Sequence, residues 1–169
     1  MADQSANVTW KDGRVPVSDR FDDPYFSIAD GLAETAHVFL AGNGLPDRFG
    51  DGFHIAELGF GTGLNLLAAW AAWRGAGCNG PLRFTSFEAF PMTKTDMAKA
   101  LAAFPGLSDL AAEFLDGWQG PGARSRWTDL ELDVIAGDAR QTLPAWPGRA
   151  DAWFLDGFSP AKNPELWEP

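Results

Sequence analysis

A single cysteine, Cys78, stands among 169 residues. That excludes an internal disulfide framework and any multi-cysteine zinc site. Histidine is nearly as scarce: His37 falls on a predicted helix and His54 at the start of a predicted strand. Neither has the partners of a metal site or a nucleophilic triad, so no metal is expected. The sequence has no P-loop and no HExxH. Cations are few, 13 Lys and Arg against 23 Asp and Glu, for a net charge of −10. A chain so acidic does not gather a polyanion by bulk electrostatics, because phosphate contacts supply most non-specific nucleic-acid affinity. Long apolar runs are missing too. The longest, Leu64 to Trp73, is too short to span a bilayer, and Met1 to Ala6 is polar with no apolar signal core. The expectation is a soluble, cytoplasmic protein without a membrane partner. One tyrosine accompanies 8 Trp and 13 Phe, which read first as core filling and second as stacking surface.

What is present is a strand–helix alternation over most of a one-domain length. Val8–Thr9–Trp10 and Val15–Pro16–Val17 flank Asp12–Gly13, a hairpin signal. A helix is expected from Asp30 to Ala41, with Leu32, Ala36, Phe39 and Leu40 on its apolar face and Gly42–Asn43–Gly44 as its stop. Strands follow at 53–58, 82–88, 130–136 and 151–156. Helices are expected at 64–74, 94–104 (with Thr93 as N-cap), 107–117 and 139–143, the last halted by Pro144. Such alternation predicts an α/β, Rossmann-like parallel sheet with helices on both faces. Residues 1–50 are expected as an N-terminal extension packed on a core of 51–169. The sheet is expected to stop after its fourth core strand, as if truncated.

Glu57-Leu58-Gly59-Phe60-Gly61-Thr62-Gly63 joins the first of these strands to its helix. Glycines at alternate positions let backbone approach a ligand, and the helix N-terminus points back at the turn. The dinucleotide fingerprint G-x-G-x-x-G would need glycine where Leu64 stands. The G-x-G-x-G form with a preceding acid is typical of S-adenosyl-L-methionine-dependent methyltransferases. In that setting Glu57 would hold the cofactor's cationic amino-acid end. Glu88 ends the second strand, where an acid can bind ribose hydroxyls. Asp138, followed by Ala139, ends the third, where an acid can hold the adenine amine or cap a helix. Asp156-Gly157-Phe158-Ser159-Pro160 ends the fourth. An amine methyltransferase needs an acceptor to orient a nitrogen lone pair and an aromatic face for its substrate; Asp156 and Phe158 are candidates for these roles.

Asp22-Asp23-Pro24-Tyr25-Phe26-Ser27, Gly31 to Thr35, Val38 to Asn43, Glu57 to Leu67, Ser86-Phe87-Glu88 and Asp151 to Trp167 occur in one order. In these segments the chain resembles the methyltransferase domain of the tRNA 5-methylaminomethyl-2-thiouridine biosynthesis family (MnmC N-terminal domain, MnmD-like). The resemblance implies S-adenosyl-L-methionine as cofactor and tRNA as substrate, with methylation of the aminomethyl nitrogen of 5-aminomethyl(-2-thio)uridine at the wobble position. It adds Tyr25, Glu34 and Asn43 to the cofactor pocket. It also implies an FAD-dependent oxidoreductase acting on the same nucleotide, absent from this chain. Where the family often has Lys after the ribose acid, Ala89 stands here. The alternatives are a methyltransferase for a small-molecule or protein amine, a nicotinamide-dependent oxidoreductase, and a non-catalytic cofactor-binding fragment.

Overall fold

In the computed structural model, residues 5–168 are described. The chain opens with a three-stranded antiparallel sheet of β1 (Val8–Lys11), β2 (Val15–Ser18) and β3 (Asp23–Pro24). Asp12 and Gly13 make the hairpin turn with positive φ. β3 was not expected; two residues carry no periodicity to read. The helical run begins as α1 (Gly31–Glu34), widens into a π-type turn at Thr35–Leu40 and closes as a 3-10 turn at Ala41–Asn43. Ala36, placed on its apolar face by periodicity, is exposed, because the wider turn rotates it out of register.

The main sheet follows: β4 (His54–Leu58), α2 (Leu64–Gly75), β5 (Leu82–Glu88), α3 (Lys94–Leu101), α4 (Ser108–Gly117), β6 (Arg124–Arg126), β7 (Leu130–Ala136), α5 (Ala139–Ala145) and β8 (Ala152–Leu155). Strand order is β6-β7-β5-β4-β8. β7, β5, β4 and β8 run parallel, while β6 pairs antiparallel with β7. The four expected core strands thus form the parallel sheet, and β6 adds an antiparallel edge strand that makes the whole sheet mixed. Among the described residues β8 pairs with β4 alone.

Alternation sorts the strand residues to two faces. Ile55, Phe84, Leu132 and Phe154 point to one, where Leu66, Leu67, Trp70 and Trp73 of α2 and Phe114 of α4 complete a core of nearly solvent-free side chains. α2 is apolar almost all round because it is buried almost all round. Thr93 caps α3 as expected, its hydroxyl accepting from the Asp96 amide at 3.2 Å. Toward the other face lies α5, whose following Trp146 packs on His54, Phe87 and Trp153. Pro144 does not halt α5, which runs on to Ala145. In a last turn the missing proline N–H costs a single backbone bond, and the Trp146 amide closes the end on the Leu143 carbonyl. The N-terminal segment joins the core through Val15, Phe26 and Leu45. Phe26 meets Phe104 edge-on at 4.8 Å, and Phe39 meets Phe154 of β8 at 5.3 Å.

Candidate active site

The chain steps from β4 to β5 to β7 in one direction, then crosses to β8 on the other side of β4. Open α/β sheets bind ligands where that order reverses, beyond the carboxyl ends of the strands. Here the reversal brings the turn after β4 against the end of β8. Gly59 has φ +86°, and a Cβ on it would overlap the carbonyl oxygen of Asp156. Gly61 and Gly63 also have positive φ, and a Cβ on Gly61 would come 3.2 Å from the Tyr25 ring. The alternate glycines thus thread backbone between two walls. In front of them lies a cavity of about 590 Å³, lined among others by Tyr25, Glu34, Glu88, Asp138 and Asp156.

Asn65, in the first turn of α2, is the hub of the site. Its amide nitrogen donates to Asp156 Oδ2 at 2.6 Å and to Glu57 Oε1 at 3.0 Å. Its carbonyl oxygen accepts from the Thr35 hydroxyl at 2.8 Å, which fixes the amide's orientation. Glu57 takes a further bond from the Ser86 hydroxyl at 2.7 Å. One carboxamide thereby ties β4, α2 and the helical run at Thr35 to the end of β8. Neither Asn65 nor Thr35 was singled out by sequence. The available signal was an asparagine inside the apolar run Leu64-Asn65-Leu66-Leu67: a polar group on a helix with no solvent face must find buried partners.

The cavity is acidic. Asp156 faces it openly but is ringed by protein, and desolvation pushes its carboxyl up to about 6, against the bond from Asn65; Glu34 and Glu88 push in the same direction. Burial likewise raises Glu57 well above the usual carboxylate range, while the Ser86 and Asn65 bonds pull it down. Glu88 is raised by burial, although it accepts the amides of Gly61 at 3.0 Å and Phe90 at 2.9 Å. The Tyr25 phenol is raised by burial and by Glu88. Asp138 lies below its usual range because Arg140 pairs with it at 2.6 Å.

Of the residues singled out by sequence, Tyr25, Glu34, Gly59, Phe60, Gly61, Thr62, Glu88, Asp138, Ala139, Asp156 and Phe158 all line this cavity. Asp138 also caps α5, accepting the Arg140 amide at 2.9 Å. The structure does not bring Asn43, Glu57 or Gly63 to the wall. Asn43 spends its amide on the Phe39 and Trp153 carbonyls. Glu57 is 1% exposed and lies behind Asn65 and Ser86. Its side chain leaves β4 toward the core face, so it meets α2 before it can meet a ligand. Gly63 is the left-handed N-cap of α2, with Phe60 and Phe114 beside it.

Comparison with known proteins bears on what such a cavity serves. A family described as S-adenosyl-L-methionine-dependent methyltransferase matches residues 105–169. The tRNA 5-methylaminomethyl-2-thiouridine biosynthesis bifunctional protein MnmC of Leptospira borgpetersenii is 46% identical over 171 residues, covering 95% of this chain and 26% of that protein. The protein of the same name from Caulobacter vibrioides is 45% identical over 168 residues, covering 95% of this chain and 28% of that one. The chain belongs to the MnmC methyltransferase-domain family. A crystal structure of MnmC2 from Aquifex aeolicus superposes with a TM-score of 0.68 at 26% identity, covering 96% of this chain and 53% of that one. The Rossmann-like methyltransferase fold is thus shared across MnmC-type domains of low identity. The chain spans about a quarter of the length of the curated MnmC proteins it matches.

Proposed function

We propose that this chain binds S-adenosyl-L-methionine in the cavity at the sheet's reversal point and methylates the aminomethyl nitrogen of 5-aminomethyl(-2-thio)uridine at the wobble position of tRNA. The observation that carries the reading is Asp156, held by Asn65 directly across the glycine turn. The cavity suits the cofactor chemically. Glu34, Glu88, Asp138 and Asp156 favour a cationic ligand and repel a dinucleotide's pyrophosphate. Glycine backbone lies open where a nucleoside would rest, and Glu88 and Asp138 stand at strand ends as acceptors for ribose hydroxyls and an exocyclic amine. Tyr25, Gly61 and Ala139 complete that wall. Glu57 acts from behind, holding Asn65.

When bound, S-adenosyl-L-methionine supplies a methyl carbon on a sulfonium, open to attack by a neutral amine. The chain's part is to present that amine. Asp156 as carboxylate accepts a hydrogen bond from the amine, aims its lone pair into the cavity and takes up the proton released as the nitrogen becomes substituted. Asn65 fixes the carboxylate's direction, so most of the gain is orientational. Phe158, two residues on, gives the substrate an aromatic face, braced by Phe21 at 4.9 Å and Tyr25 at 5.0 Å. The tRNA substrate is inferred from the names of the relatives, which are called bifunctional; a partner oxidoreductase, FAD-dependent and acting on the same nucleotide, is what the family resemblance implies.

Calorimetry with S-adenosyl-L-methionine and with NAD, followed by tritium transfer to tRNA from a strain lacking this methylation, tests the proposal. Binding of the sulfonium cofactor and labelling of the tRNA are expected. Binding of NAD alone would overturn the cofactor. Labelling of a free amine with unlabelled tRNA would transfer the assignment to a small-molecule methyltransferase.

A further inference from the structure

The acids inside the cavity raise a difficulty for any RNA substrate. A phosphodiester cannot sit beside Glu88 and Asp156, so the backbone flanking a target nucleoside must be held at the rim. Two cations line the cavity, Arg20 and Arg140. Arg140 is committed, 2.6 Å from Asp138 and 3.5 Å from Glu165. Arg20 is exposed and forms no ion pair among the described residues. Its guanidinium lies over the Phe90 ring at 4.5 Å and near the Phe21 ring at 5.6 Å. A guanidinium stacked on a ring is pre-ordered while the donors at its edge stay free for an in-plane anion.

The rings beneath it lead inward. Phe21 meets Phe90 at 6.0 Å and Phe158 at 4.9 Å, and Phe158 follows Asp156 by two residues. Phe21, Phe90 and Phe158 are half-buried and line the cavity rather than closing into the core. Aromatic side chains of this kind carry unpaired bases, and stacking needs no favourable net charge. In a chain of net charge −10, a local cation set on a stacking surface is the form RNA affinity has to take.

We propose that Arg20, Phe21 and Phe90 form a nucleotide subsite at the cavity mouth, where Arg20 binds a backbone phosphate of single-stranded RNA next to the nucleoside that reaches Asp156. This rests on the RNA-methylating reading above. The test is binding of a labelled anticodon stem-loop RNA to the intact chain, followed by fluorescence anisotropy across a salt series. Arg20→Ala should weaken binding about tenfold and reduce the slope of log affinity against log salt by about one, as for one lost phosphate contact. Arg20→Lys should keep the slope and lose part of the affinity, since the charge survives and the stacked plane does not. A circular-dichroism melt superposable on that of the wild type shows that each variant is folded.

Unchanged affinity and slope for Arg20→Ala overturn the subsite, as does a wild type that binds no RNA at low salt. The two readings separate cleanly. A wild type that binds RNA with an Arg20-dependent slope yet transfers no methyl group sinks the activity and keeps the subsite. A wild type that methylates tRNA while Arg20→Ala binds unchanged does the reverse.

Discussion

Asp156 titrates where few aspartates do, and that single property links the site's chemistry to its stability. Its ordinary value is 3.8 and its folded value about 6. Between the two the folded chain holds the proton that the unfolded chain has released. The group's contribution to stability is therefore full below about pH 4 and lost as pH rises through about 6. Asparagine keeps an oxygen to accept the Asn65 bond and removes the charge. Asp156→Asn should melt above wild type at pH 7 to 8, by about 1 kcal/mol once solvent in the open cleft is allowed to screen the charge. The two melting curves should converge below about pH 4. Methyl transfer should fall by roughly 10²-fold or more in the variant, while wild-type kcat/KM rises through about pH 6 as the carboxylate forms. Thermal melts and a pH–rate profile check both, and surviving activity in the variant removes Asp156 from the amine-orienting role. At this scale the sequence was legible where residues end strands, as at Glu88, Asp138 and Asp156, because strand ends point at the ligand side of such sheets. It was illegible at Asn65 and Thr35, whose worth lies in one another. It misled at Glu57, which lies one residue inside the end of β4 and gives its carboxylate to Asn65 and Ser86.

Elements were legible in proportion to the apolar surface they bury. β4 and α2 announce themselves as largely apolar runs set between glycines, and β5 and β7 by apolar residues at alternate positions, Leu82 and Phe84 in one and Leu130, Leu132 and Val134 in the other. In β6 only Ser125 is buried, between exposed Arg124 and Arg126, so no hydrophobic pattern marks it. What the glycine turn does was also only half readable. Spacing shows that the backbone must come close to something, and the structure shows that one such neighbour is the chain itself at Asp156. Gly59 and Gly13 separate the two demands on a glycine. Both have positive φ, but nothing lies within 4 Å of a Cβ on Gly13, while one on Gly59 would strike the Asp156 carbonyl. Gly13→Ala should cost about 1 kcal/mol, the left-handed penalty alone. Gly59→Ala should cost about 2–4 kcal/mol, because β4 and β8 must also part. The same displacement moves Asp156, so transfer should fall with stability in Gly59→Ala and not in Gly13→Ala. Denaturant melts that show equal losses would mean the turn has room to relax.

Across the whole molecule, the cavity is closed by segments that lie more than a hundred residues apart. Phe21 and Tyr25 brace Phe158, Asp23 Oδ2 accepts the Ser159 amide at 3.1 Å, and Asp22 pairs with Lys162 at 3.4 Å. The N-terminal segment thus forms part of the roof over the site, and we propose that it is an extension packed on the core as one unit with it. Sequence could show that Asp22 and Asp23 were two acids among aromatics, but not what they hold, because their partners arrive only when β8 lies down beside β4. If the roof is a clasp, cutting it should open the loop after β8 without unfolding the sheet, since exposed loops open at far lower cost than the core. Asp23→Ala removes one charged acceptor, a bond of about 1.5 kcal/mol, so amide exchange at Ser159, Lys162 and Asn163 should quicken about tenfold while the amides of β4 and β5 stay protected. Methyl transfer should weaken mainly through a raised KM, because Phe158 then presents its face only part of the time. Unchanged exchange at Ser159, Lys162 and Asn163 would show that the aromatic contacts hold the roof without Asp23. Faster exchange throughout β4 and β5 would show instead that the clasp supports the fold as well as the site.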